Sequence, residues 1–486
     1  MRLAELLDGF ATVDDRSLSV DGLTLDSRSV RPGDLFVALA GGQRHGLEFA
    51  ADAVSRGCAA VIWEPATDRS APQAPGGLPS FAIPHLRASI GEIASRFFGR
   101  PSAELRVVGV TGTNGKSSFV HLLARAFGRR SRAGTLGTLG VGAVGDETST
   151  THTTPDAVTV QRLLRDLADD SVRDVAMEVS SHALDQRRVD GVAFRGAVFT
   201  NLTRDHLDYH GTMDAYAEAK ARLMSWPSLE FAILNADDPA VQRFRDRLAP
   251  GARCIEYGLA EGAVRGSALR YSPAGTRYRL EMPAGTVNVS TRLLGRFNVY
   301  NALAVAATLS ASGWSLPEIH AALEAAEPVP GRMQAIALPG QPVVVVDYAH
   351  TPDALEHALR ALREHGLSGR LICVFGCGGD RDRGKRPQMG RIAEALADRI
   401  IVTDDNPRTE AGDAIVADIL EGLRDPSHAI VERDRAQAIA TAVALGGQGD
   451  LVLVAGKGHE TYQEVDGERH DFDDREVARR SLEAVT

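Results

Sequence analysis

Val107-Val-Gly-Val-Thr-Gly-Thr-Asn-Gly-Lys-Ser-Ser118 is the stretch on which the fold turns. The apolar run Leu105 to Val110 reads as a buried strand, and a glycine-rich turn follows it. After Lys116, Ser117 and Ser118 the pattern Phe119, Val120, Leu122, Leu123, Ala126, Phe127 reads as a helix. Strand, glycine loop and helix together make a phosphate cradle. Gly112 and Gly115 let the backbone bend around phosphate oxygens, and the N–H groups at the helix start face the anion. Lys116 adds a point charge, and the Ser117 hydroxyl can hold Mg²⁺. The strict phosphate-loop pattern asks for glycine at position 110, where this chain carries Val110. A tight strand-to-helix turn that binds nothing would not need glycine, lysine and serine together. The loop points to a nucleoside triphosphate and does not say what it is for.

The rest of the composition narrows the class. With 486 residues the chain is long enough for about three domains. Apolar residues make up 44%, enough for full cores, and 48 glycines suit an α/β protein with many tight turns. A formal net charge of −10, with no basic block, argues against a nucleic-acid surface. The N-terminus does not read as a secretory signal, and no apolar run is long enough to span a membrane, so a cytoplasmic protein is expected. The four cysteines, Cys58, Cys254, Cys373 and Cys377, are scattered and read as reduced, buried thiols. The Cys373/Cys377 spacing lacks the second pair that a zinc site needs.

Taken in order, residues 1–100 read as a small α/β unit. Strands are expected at Leu23–Arg28, Gly33–Leu39 and Ala59–Trp63, and a helix at Glu48–Arg56. There is a glycine-rich loop over 41–46 and a proline-rich loop over 65–79. Ser27 and Arg28 stand at a strand end, where either a ligand contact or plain turn chemistry would put them. Residues 101–330 read as a mostly parallel sheet with strands at Leu105–Val110, Val172–Val179, Gly196–Thr200, Phe231–Asn235 and Arg253–Tyr257. Ligands of such sheets sit at the carboxyl ends of strands. There Glu178 is a charge inside an apolar run, and Asn201-Leu-Thr-Arg-Asp-His-Leu-Asp-Tyr-His-Gly211 packs Asp and His together. Both suit a metal or phosphate site; zinc is possible on spacing, and Mg²⁺ fits a phosphate loop, with His206 as ligand or supporting group. A helix from Met213 to Met224, capped by Thr212, carries Lys220, which by itself reads as a solvated helix-face lysine. An alanine-rich helix follows Thr291–Asn301 through Leu309, and the two prolines of Pro328–Met333 suggest a linker or hinge. Residues 331–486 read as a second doubly wound sheet with strands at Val343–Val346, Leu371–Phe375, Arg399–Thr403 and Leu451–Ala455. Each ends in polar chemistry, which predicts a second binding face across an interdomain cleft.

Together these motifs resemble the Mur ligase family, the ATP-dependent amide-forming enzymes of peptidoglycan precursor synthesis. The residues that carry the resemblance are Thr111-Gly-Thr-Asn-Gly-Lys-Ser-Ser118, Glu178-Val-Ser-Ser-His182, Thr203-Arg-Asp-His-Leu-Asp208, Gly331-Arg-Met333, Asp347-Tyr-Ala-His-Thr-Pro-Asp353, Gly378-Gly-Asp-Arg-Asp382 and Gly456-Lys-Gly-His-Glu460. They span nearly the whole chain. Within the family they look most like members that add a diamino acid to UDP-N-acetylmuramoyl-L-alanyl-D-glutamate. Asp405-Asn-Pro-Arg408 resembles the stretch of members that select meso-2,6-diaminopimelate over L-lysine. The resemblance implies three α/β domains: an N-terminal UDP-sugar-binding domain (1–100), a central P-loop domain with a doubly wound sheet (101–330) and a C-terminal Rossmann-like domain (331–486). It places ATP on Gly112, Thr113, Asn114, Gly115, Lys116, Ser117 and Ser118, with Asn301, Arg332 and Asp347. Lys116, Glu178, His206 and Lys220 become the catalytic set. Ser117, Glu178, His206 and Lys220, the last as a carbamate, become the Mg²⁺ set. Ser27, Thr153, Thr154, Ser180, Gln186 and Arg188 match positions for the UDP-muramoyl dipeptide. Arg381, Asp405, Asn406, Pro407, Arg408, Gly456 and Glu460 match the diaminopimelate pocket. The chain departs from the family pattern at Arg44-His-Gly46 and at His152.

The implied reaction suits the residues. A carboxylate is a poor electrophile, so ATP converts it to an acyl phosphate, which the amine of the amino acid then attacks; positioning and cation clamping do most of the work. Small molecules alone are expected as partners, and a monomer. Two other readings share the P-loop: a folylpolyglutamate synthase-like ligase, which would not need the Asp405–Arg408 loop, and a catalytically dead nucleotide-binding regulator, which could lose Lys116, Glu178, His206 or Lys220. An L-lysine-adding ligase is the nearest alternative in substrate.

Overall fold

The computed structural model describes residues 1–41, 44–65, 77–150, 152–272, 274–365 and 369–484. Parts of two expected loops, residues 42–43 of the glycine-rich one and 66–76 of the proline-rich one, lie outside these. The chain divides into two compact units, Met1–Glu256 and Tyr257–Thr486.

The first unit opens with a four-stranded parallel sheet, Gly22–Thr24, Asp34–Ala38, Ala60–Trp63 and Ser80–Ala82, in that order. Asp34–Ala38 is buried along its whole length, as a parallel strand covered on both faces must be. The helix Leu86–Phe97 closes one face, and its core also takes in Ala157 and Val158 from the helix Ala157–Asp169. The P-loop strand is Arg106–Thr111. It lies between Asp174–Glu178 and Phe194–Phe199, parallel to both. Ala133–Gly137 flanks the first neighbour and Phe231–Asn235 the second, again parallel. The chain therefore changes direction across the sheet beside the P-loop strand, the point at which α/β sheets open a crevice for ligands. The helix expected from Met213 forms over Met213–Ala221 and tightens into a 3₁₀ turn, Arg222–Ser225. Thr212 caps it by accepting a hydrogen bond from the Ala215 N–H at 3.1 Å.

The second unit contains a feature that the parallel-sheet expectation lacks. Val264–Ser272, Gly275–Met282 and Gly285–Thr291 form an antiparallel meander. The alanine-rich helix follows as Arg296–Ala311. Then comes a six-stranded sheet ordered Gln334–Ile336, Val343–Asp347, Leu451–Ala455, Leu371–Phe375, Arg399–Val402, Ala429–Val431. It is parallel except for the first strand. The strands expected at Leu371–Phe375 and Leu451–Ala455 form at those residues. His365 ties the meander to this sheet's helices: Nε2 accepts the Gly295 N–H at 2.7 Å, and Nδ1 lies 2.8 Å from the Ser272 carbonyl. The proline-rich segment before Met333, expected as a linker or hinge, is pinned. Val329 is buried, and Gly331 (φ +62°) lies so close to Gly458 and His459 that a Cβ there would meet their backbone at 2.1 Å. Of the cysteines, Cys58, Cys373 and Cys377 are buried as expected, whereas Cys254 is exposed. It sits on Arg253–Gly258, a strand with an exposed N-terminal half.

Among the described residues, the most deeply buried ion pair of the second unit joins Arg435 to Asp474, with Nε–Oδ1 2.7 Å. Arg435 also donates to the carbonyls of Asp404 and Ala455, so the pair braces two loop-bearing strand ends. Removing one partner strands a buried charge. Asp474→Ala is expected to cost about 3–5 kcal/mol of unfolding free energy, read from the urea midpoint, and Arg435→Met/Asp474→Leu together markedly less.

Candidate active site

The P-loop is held from outside by the segment after Phe194–Phe199. Thr113 N–H donates to the Asn201 carbonyl at 2.8 Å, Asn114 N–H to Asn201 Oδ1 at 2.9 Å, and Thr200 Oγ1 to the Asn114 carbonyl at 2.6 Å. Gly112 has φ +150°, and a Cβ on it would lie 1.9 Å from Thr200 Oγ1, so only glycine allows this approach. Gly115 (φ +87°) starts the helix Lys116–Phe127, and no side chain caps it. An uncapped helix start behind a glycine turn suits the phosphates of a nucleotide.

Two lysines meet at one carbonyl. Lys116 Nζ donates to Gly112 O at 2.9 Å and to Thr113 O at 2.8 Å, and Lys220 Nζ donates to the same Gly112 O at 2.7 Å. Lys220 is only 1% exposed, which corrects its reading as a solvated helix-face lysine. Its helix, Met213–Ala221, turns Tyr216, Ala217 and Lys220 inward, and sequence periodicity hid this because polar and alanine residues surround them. Burial, and then the neighbouring Lys116 charge, hold its ammonium well below the ordinary lysine range; Asp205 pulls weakly the other way.

Tyr216 links the parts. Its hydroxyl lies 3.2 Å from Thr113 Oγ1, its ring 4.5 Å from Lys220 Nζ, and its ring centroid 6.0 Å from that of His206. The sequence reading did not single it out, although four-residue spacing from Lys220 on a helix was a usable signal. His206, in the left-handed region at φ 51°, sits against His182 (4.8 Å between centroids) and 3.4 Å from Asp205.

Glu178 ends its strand beside Val110 and is 1% exposed. Its carboxylate takes the Thr138 N–H at 2.8 Å and approaches Thr138 Oγ1 at 3.4 Å, and among the described residues it has no ion-pair partner. A buried carboxylate with only neutral donors fits a bound cation, as expected for Mg²⁺. Gly137 makes room for it, since a Cβ there would meet Glu178 Oε1 at 2.5 Å. No group of three or more His, Cys, Asp and Glu side chains able to hold a metal occurs among the described residues; the expected Mg²⁺ set draws on Ser117 and a modified Lys220 as well.

The residues expected for the UDP-linked substrate are knit together nearby. Thr138 Oγ1 donates to Thr153 Oγ1, Thr154 Oγ1 to the Glu178 carbonyl, and Arg188 to the Thr154 carbonyl and Gln186 Oε1. Ser180 caps the helix Ser181–Asp185. Gln186 and Arg188 line a cavity of about 580 Å³, with Leu25, Leu39, Arg87 and His152 also on its wall. Ser27 is buried in a 3₁₀ turn and is not on that wall. Arg87 was missed; it lines the same cavity as Arg188 and donates to the Ala40 carbonyl at 2.8 Å.

In the second unit the expected residues gather at the carboxyl edge of the six-stranded sheet. Asn406 is buried and donates to Glu460 Oε2 at 3.0 Å. Arg408, at φ 54°, donates through Nη1 to the Gly379 carbonyl at 2.7 Å and lies 3.5 Å from Glu464. Gly456 (φ +120°) leaves space that a Cβ would take 2.3 Å from Asp405 Oδ2. Arg381 is exposed and Pro407 buried. Arg332 stacks over Tyr348 at 4.5 Å, and the partly buried Asp347 accepts N–H groups of Met333 and Ala349; desolvation raises its pKa, partly offset by Arg332. The Asn301 amide is engaged by Asn298.

Comparison with known proteins shows the family. Three family models match: "Mur ligase family, catalytic domain" over 19–98, "Mur ligase middle domain" over 110–309 and "Mur ligase, glutamate ligase domain" over 331–458. A UDP-N-acetylmuramoyl-L-alanyl-D-glutamate–2,6-diaminopimelate ligase of Xylella fastidiosa is 50% identical, covering 100% of this chain and 98% of the relative. One of Xanthomonas oryzae is 52% identical over 99% and 97%. A solved structure of a ligase of that name is 37% identical with a TM-score of 0.75, over 100% of this chain and 99% of that one. The chain is a three-domain α/β ligase, and it belongs to the Mur ligase family.

Gly112→Ala must displace Thr200 or the loop itself. It is expected to weaken binding of a nucleoside triphosphate by about tenfold or more while the melting temperature moves by only a few degrees, measured by equilibrium titration alongside thermal unfolding.

Proposed function

We propose that the chain joins meso-2,6-diaminopimelate to the D-glutamate γ-carboxylate of UDP-N-acetylmuramoyl-L-alanyl-D-glutamate, driven by ATP through an acyl phosphate, in the cytoplasmic supply of peptidoglycan precursors. Domains bounded near residues 100 and 330 divide the work among UDP-sugar, ATP and amino acid. The observation that carries the choice of amino acid is the loop Asp405–Arg408, in which Asn406 donates to Glu460 and Arg408 to the Gly379 carbonyl: it brings a guanidinium and a carboxylate into one loop cluster, suited to a substrate end bearing both a carboxylate and an ammonium. The names of the relatives, half identical over their full length, support the same reading.

Each step falls to particular residues. The P-loop N–H groups and Lys116 orient the triphosphate, so that the γ-phosphoryl group meets the substrate carboxylate in line. Arg188, Gln186 and Arg87 hold the UDP-linked substrate in the cavity. Mg²⁺ would be held by Ser117, Glu178, His206 and a carbamylated Lys220, and supplies charge neutralisation during phosphoryl transfer. Lys220 suits that modification because burial favours its neutral amine, the form that adds to carbon dioxide: an N–C bond forms and a proton leaves. The carbamate replaces a second cation beside Lys116 with an anion.

Arg408 decides against lysine. Without a distal carboxylate, its partly buried guanidinium loses a partner, and sites built on such pairing reject the analogue by about 10⁴-fold. Phosphate release should therefore appear with diaminopimelate and not with L-lysine, and Arg408→Ala should lose diaminopimelate turnover while keeping ATP affinity; turnover with lysine would refute the substrate assignment. ¹³C-bicarbonate should give a carbamate resonance that Lys220→Arg lacks, and Lys220→Ala should lower kcat by about 100-fold.

A further inference from the structure

One cation in the amino-acid loop cluster has no part in the reading above. Lys457 follows the strand Leu451–Ala455 and is 0% exposed. An ammonium buried this deeply needs partners, because protein groups must replace the water that would otherwise solvate it. Lys457 Nζ donates to Asn406 Oδ1 at 2.8 Å, lies 3.4 Å from Glu460 Oε2 and sits 5.5 Å from the Tyr462 ring centroid.

This arrangement constrains two neighbours. Asn406 Oδ1 receives both Lys457 and the Glu464 N–H, the latter at 3.0 Å, while its Nδ2 donates to Glu460 Oε2. The amide therefore has one satisfied orientation; turned over, it would aim N–H groups at an ammonium and a backbone N–H. Glu460 has Oε2 engaged by Asn406 and Lys457. Its Oε1 accepts no hydrogen bond among the described residues, and its side chain is only partly buried. Three side chains thus form a closed triangle with one carboxylate oxygen left over.

We propose that Lys457 is the positioning residue of the diamino-acid pocket: it locks the Asn406 amide and holds Glu460 by one oxygen, leaving the other for the substrate's ammonium. This rests on the reading of the loop cluster as the diaminopimelate site. A lysine that merely filled space would affect every substrate or none once the variant folds. A positioning lysine affects one substrate selectively.

The test is steady-state kinetics of the full chain, with diaminopimelate, ATP and the UDP-linked dipeptide each varied in turn, for wild type, Lys457→Met and Lys457→Gln. In Lys457→Met the KM for diaminopimelate is expected to rise by about tenfold or more, while the KM values for the other two move by less than about twofold. Lys457→Gln keeps a neutral N–H donor without the charge and is expected to recover only part of that loss, leaving a rise of about threefold confined to diaminopimelate. An unchanged diaminopimelate KM in the methionine variant, or an equal rise for all three substrates, overturns the proposal. If the methionine variant does not fold, the glutamine variant decides: a selective rise for diaminopimelate supports the proposal, and no rise or a general one overturns it. Absence of diaminopimelate turnover in wild type refutes the pocket assignment instead, which separates the two failures.

Discussion

Two lysine ammonium groups share the Gly112 carbonyl, and much of the first unit is arranged around that crowding. Like charges at such separation repel by on the order of 3 kcal/mol even with a generous effective dielectric. A protein tolerates this only if one charge is lost or an anion arrives. Lys220, packed under the Tyr216 ring with no carboxylate in hydrogen-bond contact among the described residues, is the one that burial drives toward neutrality. Lys116 lies on the edge of the phosphate cradle and is the one an incoming phosphate can neutralise. The same carbonyl belongs to a glycine whose backbone Thr200 presses closely, so the loop cannot slide away to relieve the pair.

The sheet supplies the rest of the constraint. The P-loop strand is flanked by the strands that end in Glu178 and in Phe199 and Thr200, one on each side. A metal-competent carboxylate and the brace for the phosphate loop therefore arrive by strand order rather than by long side chains reaching across. Thr138 and Thr154 hold the Glu178 carboxylate and main chain respectively, which fixes where the buried charge sits. The cluster of His182, His206 and Tyr216 continues from that edge toward Lys220.

Much of this was readable before any coordinates, for a physical reason. Parallel strands buried on both faces are short, continuous apolar runs, so Phe231–Asn235, Leu371–Phe375 and Leu451–Ala455 announced themselves, and the polar loops after them marked the binding edge. The antiparallel meander at 264–291 did not, because its strands alternate exposed arginines and serines with single buried residues such as Tyr278 and Leu280, and read as polar chain. The turn at Pro283-Ala-Gly285 was the signal available there. The burial of Lys220 was hidden for a different reason: side-chain type predicts exposure only on average, and a lysine's burial depends on what packs over its helix. Arg87 was invisible because it reaches the cavity from the N-terminal part of the chain, a proximity no local pattern encodes.

The amino-acid edge of the second unit shows the same economy of charge. Arg408 adopts a left-handed backbone that costs a non-glycine residue of order 1 kcal/mol. It is held there by its N–H to the Glu464 carbonyl and by the Asp466 N–H to its own carbonyl. Its guanidinium already leans toward Glu464, as Lys457 leans toward Glu460 and Arg435 binds Asp474. Arg408, Lys457 and Arg435 thus each have a carboxylate nearby before a ligand enters. A ligand end carrying one carboxylate and one ammonium can then meet Arg408 and Glu460 without adding net charge to a poorly solvated place. A ligand end with an ammonium alone would meet Glu460 and leave the Arg408 guanidinium without the carboxylate it would otherwise hold. Selectivity in such a pocket comes less from the strength of any one contact than from the requirement that both charges arrive together.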